Sequence, residues 1–367
     1  MRRTLFTAFP LVALAVAGAA SAQPVSSNSP DARPPAFRAP SNQRPPRAAP
    51  DMQAVLDAHA RLGARPIHLG TPNQVRAGPT PTDAVKAVMA ARGMSTAPDP
   101  SVVTSELSYG RNAWQKARIY RPAGPARGAR PLIVYFHGGG WVIADLDVYD
   151  SAPRMLAKQL GAVVVSVEYR HAPEFKFPAQ HDDAVNAYRW VLQNARAWGG
   201  DVNRMAFAGE SAGGNLAINT AIAARNNRLP MPRHILSVYP IADSSPTLRS
   251  RIVNATASPL ATPDLAWFAH YFSRRPSDTQ DPRINLVRAD LRGLPPVTIV
   301  SAEIDPLLSD GLNLTMALRR AGVPVMQRTY RGVTHEFFGM GSVVRGAMQA
   351  NNWAVSRLRP ALSGARR

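Results

Sequence analysis

The sequence has 367 residues, a hydrophobic fraction of 45% and no cysteine. This composition is sufficient for one large globular domain or two small ones, and it excludes stabilisation by disulfide bonds. The formal net charge is +19 and is carried by 39 arginines and four lysines, but these are scattered rather than grouped in a basic run with aromatic residues. A nucleic-acid partner is therefore not expected.

Residues 1–22 have the pattern of a secretory signal peptide, with two arginines, a short apolar stretch and the small residues Ala20-Ser21-Ala22. The apolar stretch is too short for a comfortable membrane span. We expect cleavage before Gln23, which leaves no transmembrane segment and a periplasmic or secreted protein. An uncleaved N-terminal anchor is the alternative, and Arg2-Arg3 does not distinguish Sec from twin-arginine export.

Residues 23–50 are rich in Pro, Ser, Ala and Arg, so we predict a disordered linker. Two amphipathic helices are predicted within residues 51–100, one in DMQAVLDAHARLG and one in TPTDAVKAVMAARG, the second opened by Thr82 and closed by Gly93. Both precede the first strand of the chain. We therefore interpret residues 51–100 as helices that pack on elements formed later.

Residues 101–360 alternate between strand and helix patterns, which predicts an α/β domain with a mostly parallel sheet and helices on both faces. Eight strands are predicted, at 102–109, 116–121, 131–136, 162–168, 204–208, 234–239, 297–302 and 325–330. Helical patterns lie near 150–160, 181–197, 212–225, 309–321 and 342–358.

A long insertion interrupts this alternation between the sixth and seventh predicted strands. It contains the amphipathic, aromatic-rich stretch ATPDLAWFAHYFSRR. Connections of this length are usually more than a simple loop. We predict that residues 244–290 and the N-terminal helices form a cap over the carboxyl ends of the strands, where open α/β sheets bind ligands. A helix packed on the outer face of the sheet is the alternative.

The stretch FAGESAGGNLAIN places Ser211 between two glycines where a strand pattern becomes a helix pattern. A G-x-S-x-G motif in this context indicates a tight turn that exposes a nucleophilic serine at a helix N-terminus. The stretch YFHGGGW also follows an apolar strand. Its glycines present backbone amides without side chains, so we predict an oxyanion hole formed by the amides of Gly138, Gly139 and Ala212.

Activation of a serine requires a base and an acid that orients the base. In this architecture both follow the serine along the chain. His335 is the only histidine after the acid candidates, whereas His234 opens a strand and His270 lies in the insertion helix. Asp305 follows a strong apolar strand and is the predicted acid.

Two other aspartates lie in the same part of the chain as Asp305. Asp243 follows the preceding strand and is the alternative acid, whereas Asp310 is expected to cap or begin a helix.

The motifs HGGGW, EYRHAPEFKFPA, GESAGG, GLPPVTIVSAEIDPLLSDG and GVTHEFFG together resemble the hormone-sensitive-lipase-like family of bacterial esterases, within the α/β-hydrolase fold. The resemblance covers residues 52–358. It implies Ser211, Asp305 and His335 as the catalytic triad, and it implies that Tyr169 and Arg170 brace the oxyanion loop. Glu336 departs from the family pattern, because glycine commonly follows the histidine.

We therefore predict a serine carboxylesterase that forms an acyl-enzyme, and the resemblance implies short-chain acyl esters as substrates. An amidase, thioesterase or carbamate hydrolase with the same triad is the alternative, and a non-catalytic ligand-binding relative is a more distant one. The predicted partner is a small-molecule ester. No cofactor or metal is expected, because no P-loop, dinucleotide fingerprint or H-E-x-x-H motif occurs. The sequence does not indicate an oligomeric state.

Overall fold

The computed structural model describes residues 46–126 and 128–363. The predicted signal peptide and almost all of the predicted linker lie outside these residues. No helix in the described part of the chain is both long and apolar enough to span a bilayer.

Within residues 46–126 and 128–363, eight strands form one sheet in the order β1-β2-β4-β3-β5-β6-β7-β8. Their bounds are β1 Val102–Ser108, β2 Lys116–Pro122, β3 Arg130–Phe136, β4 Val163–Val167, β5 Gly200–Glu210, β6 His234–Val238, β7 Val297–Ile304 and β8 Val325–Thr334. β1 and β2 pair in antiparallel orientation, as do β2 and β4, and every other pair is parallel. This is an α/β-hydrolase sheet, and the prediction of a mostly parallel eight-stranded sheet is confirmed.

Ten α-helices are described in the same part of the chain. Their bounds are α1 Pro50–Arg61, α2 Pro72–Arg76, α3 Pro81–Ala91, α4 Ser151–Leu160, α5 Ala179–Asn194, α6 Ala212–Asn226, α7 Arg249–Val253, α8 Thr262–Phe272, α9 Leu308–Arg320 and α10 Arg345–Leu362. The short helices α2 and α7 were not predicted. The N-cap of α3 is Thr80, which forms a capping box with Asp83, so the prediction that Thr82 opens this helix is wrong by two positions.

Two apolar cores lie on opposite faces of the sheet because side chains alternate along each strand. In β3, Leu132, Val134 and Phe136 contribute to one core. Ile133 and Tyr135 contribute to the other. Residues of α5, α6 and α9 complete the first core, and residues of α1, α3, α4 and α10 complete the second. Helices therefore cover both faces of the sheet, as predicted.

The insertion contacts the N-terminal segment directly. Asp264 on α8 accepts hydrogen bonds from the backbone amide of His68 at 2.9 Å and from its Nδ1 atom at 2.7 Å. The Trp267 indole donates to the carbonyl of Gly70 at 2.8 Å. These two segments, which the six strands β1 to β6 separate in sequence, therefore form one layer.

The same insertion is anchored to the body of the domain by a buried ion pair. Arg251 on α7 contacts Asp310 on α9 at 2.9 Å, and both side chains are buried. Asp310 also accepts hydrogen bonds from the amides of Ala242 and Asp243. Burial raises the pKa of Asp310 to about 6 even though Arg251 opposes the shift. The predicted place of Asp310 at the start of a helix agrees with its position in the first turn of α9.

Candidate active site

Ser211 lies in a sharp turn between β5 and α6. It has φ 56° and ψ −118°, a backbone conformation that non-glycine residues rarely adopt. Its amide donates to the carbonyl of Val238 on β6 at 2.8 Å, which fixes the turn to the adjacent strand. The serine hydroxyl therefore stands above the carboxyl end of the sheet, at the N-terminus of α6.

The turn requires glycine on both sides of Ser211. A Cβ atom at Gly213 would overlap the carbonyl oxygens of Phe136 and His137, and one at Gly209 would overlap the carbonyl of Gly213. The absence of these two side chains lets α6 approach β3 and β5 closely. This close approach is the physical reason for the G-x-S-x-G spacing.

Strand pairing brings the other two predicted triad residues together. Ile304 at the end of β7 pairs with Thr334 at the end of β8, so the residues that follow them, Asp305 and His335, are neighbours. His335 Nδ1 lies 2.7 Å from Asp305 Oδ2, and His335 Nε2 lies 3.0 Å from Ser211 Oγ. The structure therefore brings the three predicted catalytic residues within hydrogen-bond distance.

These contacts determine the tautomer of His335. The carboxylate of Asp305 only accepts hydrogen bonds, so Nδ1 carries the proton and Nε2 can accept one from Ser211. Asp305 is itself fixed, because its Oδ1 accepts from the amide of Leu307 at 2.8 Å and its backbone carbonyl accepts from Asn254 at 2.9 Å. The arrangement is that of a serine, a base and an oriented acid.

The electrostatic surroundings of His335 favour its charged form. Burial acts to lower its pKa, but the nearby carboxylates of Asp305, Glu336 and Glu210 outweigh burial. The net pKa of His335 therefore lies above its usual value. An imidazolium formed at this position during a reaction would be stabilised.

The alternative acid and the two excluded histidines lie elsewhere. Asp243 Oδ2 accepts from Asn313 at 2.7 Å and is engaged on the α9 side of the insertion. His234 on β6 contacts the Thr298 hydroxyl at 2.8 Å, and His270 lies on α8. Asp243 and His234 are thus engaged by other side chains, and His335 is the histidine that contacts Ser211.

The loop after β3 carries two of the three predicted oxyanion-hole amides. Gly139 has φ +88° and lines the cavity above Ser211. Gly138 precedes it, and the amides of both glycines are not donors in any backbone hydrogen bond of the described residues. Ala212 is the first residue of α6, so its amide has no hydrogen-bond acceptor within the helix. These amides are free to bind a negatively charged oxygen.

Buried side chains beneath the oxyanion loop hold its carbonyls away from the cavity. The Tyr169 hydroxyl lies 3.0 Å from the carbonyls of both His137 and Gly138. The His137 ring stacks on Tyr169 with centroids 4.4 Å apart, and its Nδ1 lies 2.9 Å from the Gly138 carbonyl. Tyr169 therefore supports this loop, as the family resemblance implied.

Arg170 does not brace the oxyanion loop, so the corresponding prediction is wrong. Its guanidinium donates to Asp183 on α5 at 2.8 Å, through both Nε and Nη2. Its backbone amide donates to the same carboxylate at 3.0 Å. The bidentate fork of arginine suits this fixed carboxylate, so Arg170 fixes the start of α5 instead.

Among the residues that the structure describes, the buried side chains of His137, Glu168 and His171 form a cluster that could hold a metal ion, with the three ligand atoms within 4.8 Å of one another. Glu168 already accepts from His137 at 3.1 Å and from the amide of Leu146 at 3.1 Å. Burial opposes ionisation, but the two histidines lower the pKa of Glu168 to about 2. Because Glu168 is already engaged in these contacts, we interpret the cluster as a structural support of the oxyanion loop.

Glu210, directly before the nucleophile, is a buried neighbour of the site whose partners the sequence did not predict. Its buried carboxylate accepts hydrogen bonds from Tyr135 and Tyr239. Burial raises the pKa of Glu210 to about 7, although both tyrosines act against the shift. The Tyr239 ring lies against the His335 ring, with centroids 4.5 Å apart. Glu210 thus links the nucleophile turn to the surroundings of the base.

A cavity of about 500 Å³ opens in front of Ser211. Its floor includes Ser211, His335 and Gly139. Its apolar walls come from the N-terminal segment and from the insertion, and they include Ile67, Leu69, Val75, Leu260, Leu265 and Phe268. A volume of this size is typical of sites that enclose a small organic molecule.

The serine, the base, the acid and the amide cluster all follow carboxyl ends of strands in one α/β-hydrolase sheet. Residues 133–339 match the model of a family described by its α/β-hydrolase fold. The chain is 37% identical over 234 residues to ethyl acetate hydrolase from Pseudomonas putida, covering 63% of this chain and 73% of that protein. It is 38% identical over 251 residues to esterase LipI from Mycobacterium tuberculosis, covering 67% and 78%.

The structural comparison agrees with these relatives. A thermostable esterase from Pseudomonas putida has a TM-score of 0.78 at 28% identity, covering 87% of this chain and 99% of the esterase. The chain belongs to the hormone-sensitive-lipase-like esterases of the α/β-hydrolase family.

Proposed function

We propose that this protein is a serine carboxylesterase in which Ser211 is the nucleophile, His335 the general base and Asp305 the acid that orients it. The observation that carries the proposal is the continuous hydrogen-bonded series from Ser211 Oγ through His335 to Asp305, at 3.0 Å and 2.7 Å. The nucleophile turn at Ser211 and the glycine loop after β3 support it. The relatives are named as esterases, which favours esters over amides, thioesters and carbamates.

In the first step Ser211 Oγ attacks the ester carbonyl carbon while its proton moves to His335 Nε2. The carbonyl oxygen becomes an oxyanion, which the amides of Gly138, Gly139 and Ala212 bind. Each such donor typically contributes about 3 kcal/mol to transition-state stabilisation. The tetrahedral intermediate then expels the alcohol, which takes the proton from Nε2, and an acyl-enzyme ester on Ser211 remains.

In the second step a water molecule attacks the acyl-enzyme. His335 Nε2 takes a proton from the water as the new carbon–oxygen bond forms, and the same amides bind the second oxyanion. Collapse of this intermediate breaks the bond to Ser211 Oγ, which recovers its proton from Nε2. The products are a carboxylic acid and the free enzyme.

We expect short acyl chains to be preferred, because the cavity at Ser211 is about 500 Å³ and is roofed by the N-terminal segment and the insertion. The p-nitrophenyl butyrate ester should have a kcat/KM at least about tenfold above that of the palmitate ester, since a buried acyl chain gains binding energy only while the pocket accommodates it. The measurement is initial-rate kinetics on a series of p-nitrophenyl esters at one detergent concentration.

A kcat/KM that rises steadily toward palmitate would contradict the short-chain preference. A matched butyryl anilide, which presents the same acyl group with a poorer leaving group, serves as the control for bond type. Comparable rates on the ester and the anilide would favour an amidase.

We also propose, from the leader pattern in residues 1–22, that the protein acts in the periplasm or is secreted.

A further inference from the structure

Glu336 has no role in the reaction steps described above, although it lies beside the reacting atoms. Its Oε1 atom is 3.8 Å from His335 Nε2, the nitrogen that exchanges protons with Ser211. The side chain lines the cavity and is 20% exposed. A carboxylate at this distance interacts more strongly with a charged imidazolium than with a neutral ring.

The carboxylate is held in place by Tyr149. The Tyr149 hydroxyl donates to the same Oε1 atom at 2.6 Å, and this tyrosine is buried. Its hydroxyl also packs directly against Gly138, because a Cβ atom at Gly138 would overlap it. One hydrogen bond therefore connects the loop that carries the base to the loop that carries the oxyanion-hole amides.

The backbone at Glu336 is also unusual. Its φ of 69° lies in the left-handed region, which glycine adopts freely and residues with long side chains adopt at a cost. Such outliers persist where the surrounding structure holds them, and they cluster at active sites. This conformation points the glutamate toward Tyr149 and His335.

We propose that Glu336 is a positioning residue that acts through His335, stabilising from the Nε2 side the imidazolium that Asp305 stabilises from the Nδ1 side. The proposal rests on the serine esterase function proposed above. The proton still moves from Ser211 Oγ to His335 Nε2 and then to the leaving alcohol. Glu336 neither takes it nor forms a bond, and it contributes its negative charge and its fixed position.

Several other charged or titratable groups face this carboxylate from the elements around it. They are Tyr149 before α4, His137 after β3, Glu210 at the end of β5, Asp305 after β7 and His335 after β8, with the phenols of Tyr135, Tyr169 and Tyr239 nearby. Burial raises the pKa of Glu336, whereas His335 and Tyr149 act to lower it. The negative charge is therefore present above this raised pKa.

The test is the pH dependence of kcat/KM and kcat in Glu336→Gln, measured with p-nitrophenyl butyrate. Removing an anion beside His335 lowers the pKa of the base, so the acid limb of kcat/KM should move to lower pH by about 0.5 to 1 unit. The alkaline plateau of kcat should fall about five- to tenfold, because the imidazolium is less stabilised in the transition state. A purely structural role would lower the plateau without moving the acid limb.

Three further variants make the result decisive. Glu336→Asp keeps the charge and should keep the acid limb within about 0.3 unit of wild type, since the nearby anion remains. Glu336→Gly removes the charge at a backbone conformation that glycine adopts freely, and it should shift the limb as Glu336→Gln does even if Glu336→Gln impairs folding. Asp290→Asn removes an exposed carboxylate that pairs with Arg292, and it should change neither parameter.

Labelling by a fluorophosphonate separates the two proposals. If Glu336→Gln and Glu336→Gly are labelled at Ser211 and hydrolyse the ester with an unmoved acid limb, the role of Glu336 is refuted while the serine esterase stands. If the wild-type protein is neither labelled at Ser211 nor active, the proposed function itself fails. A limb that moves to lower pH in both charge-removing variants and stays in Glu336→Asp supports the role.

Discussion

Replacing Ser211 with alanine should lower kcat by about 10⁵- to 10⁶-fold, the range seen when the nucleophile of a serine-based triad is removed. The hydroxyl is the group that becomes covalently acylated, so no other part of the site replaces it. The remaining amides still bind an oxyanion, which leaves a small rate above the background reaction in water. The measurement is single-substrate kinetics on p-nitrophenyl butyrate with the purified variant.

The matched control is Ser356→Ala, which removes an exposed serine hydroxyl on α10 that donates to the carbonyl of Trp353. Its kcat should equal that of wild type, because the position is remote from the cavity. Removing His335 as well should add little to the Ser211→Ala effect, because triad residues act as a unit. A Ser211→Ala variant that keeps more than about one part in a hundred of the activity would refute this serine as the nucleophile.

Replacing Asp305 with asparagine should lower kcat by about 10⁴-fold, the magnitude found when a triad aspartate is made neutral. The amide has nearly the same shape, but its NH₂ group faces His335 Nδ1 in place of the acceptor that now lies 2.7 Å away. The ring then adopts the other tautomer, with its proton on Nε2, and loses the ability to take the Ser211 proton. Kinetics over pH 6–9 measure the effect.

Asp243→Asn is the natural comparison, because Asp243 is the alternative acid of the sequence analysis. Its carboxylate contacts Asn313 at 2.7 Å and is not a partner of His335. We expect its kcat to stay within about threefold of wild type, as is usual for substitutions away from buried networks and the reacting groups. A severe loss in Asp243→Asn together with a mild one in Asp305→Asn would reverse the assignment of the acid.

Much of the sheet could be predicted because its inner strands are continuous apolar runs, as in β3 and β4. The start of β5 and the end of β8 could not be predicted in this way. β5 begins at Gly200 because Gly200 and Asp201 pair with Arg130 and Pro131, before a register shift that no apolar run signals. β8 lies at the edge of the sheet and extends to Thr334, beyond the predicted end at residue 330, because Thr334 pairs with Ile304 after a second register shift.

Some residues of the candidate site could likewise be predicted from their neighbours in the sequence, whereas others depend on contacts between residues far apart in the chain. Ser211 and the oxyanion loop are marked by glycines next to them in sequence, and His335 by its place after the last strand. The supporting contacts are not local, since Tyr149 and Glu336 are 187 positions apart and Tyr135 and Glu210 are 75 apart. A single sequence contains no signal that joins such pairs, because each residue alone resembles an ordinary core or surface side chain.

We propose that two side chains distant in sequence, His335 and Asp305, make the hydroxyl of Ser211 a nucleophile. Incubation of the whole protein with a fluorophosphonate, followed by peptide mass spectrometry, tests it most directly, because the probe bonds only to an activated serine beside an oxyanion hole. We predict one adduct per chain, located on Ser211, and loss of esterase activity in proportion to labelling. An adduct on another serine, or full activity with Ser211 fully labelled, would contradict the claim.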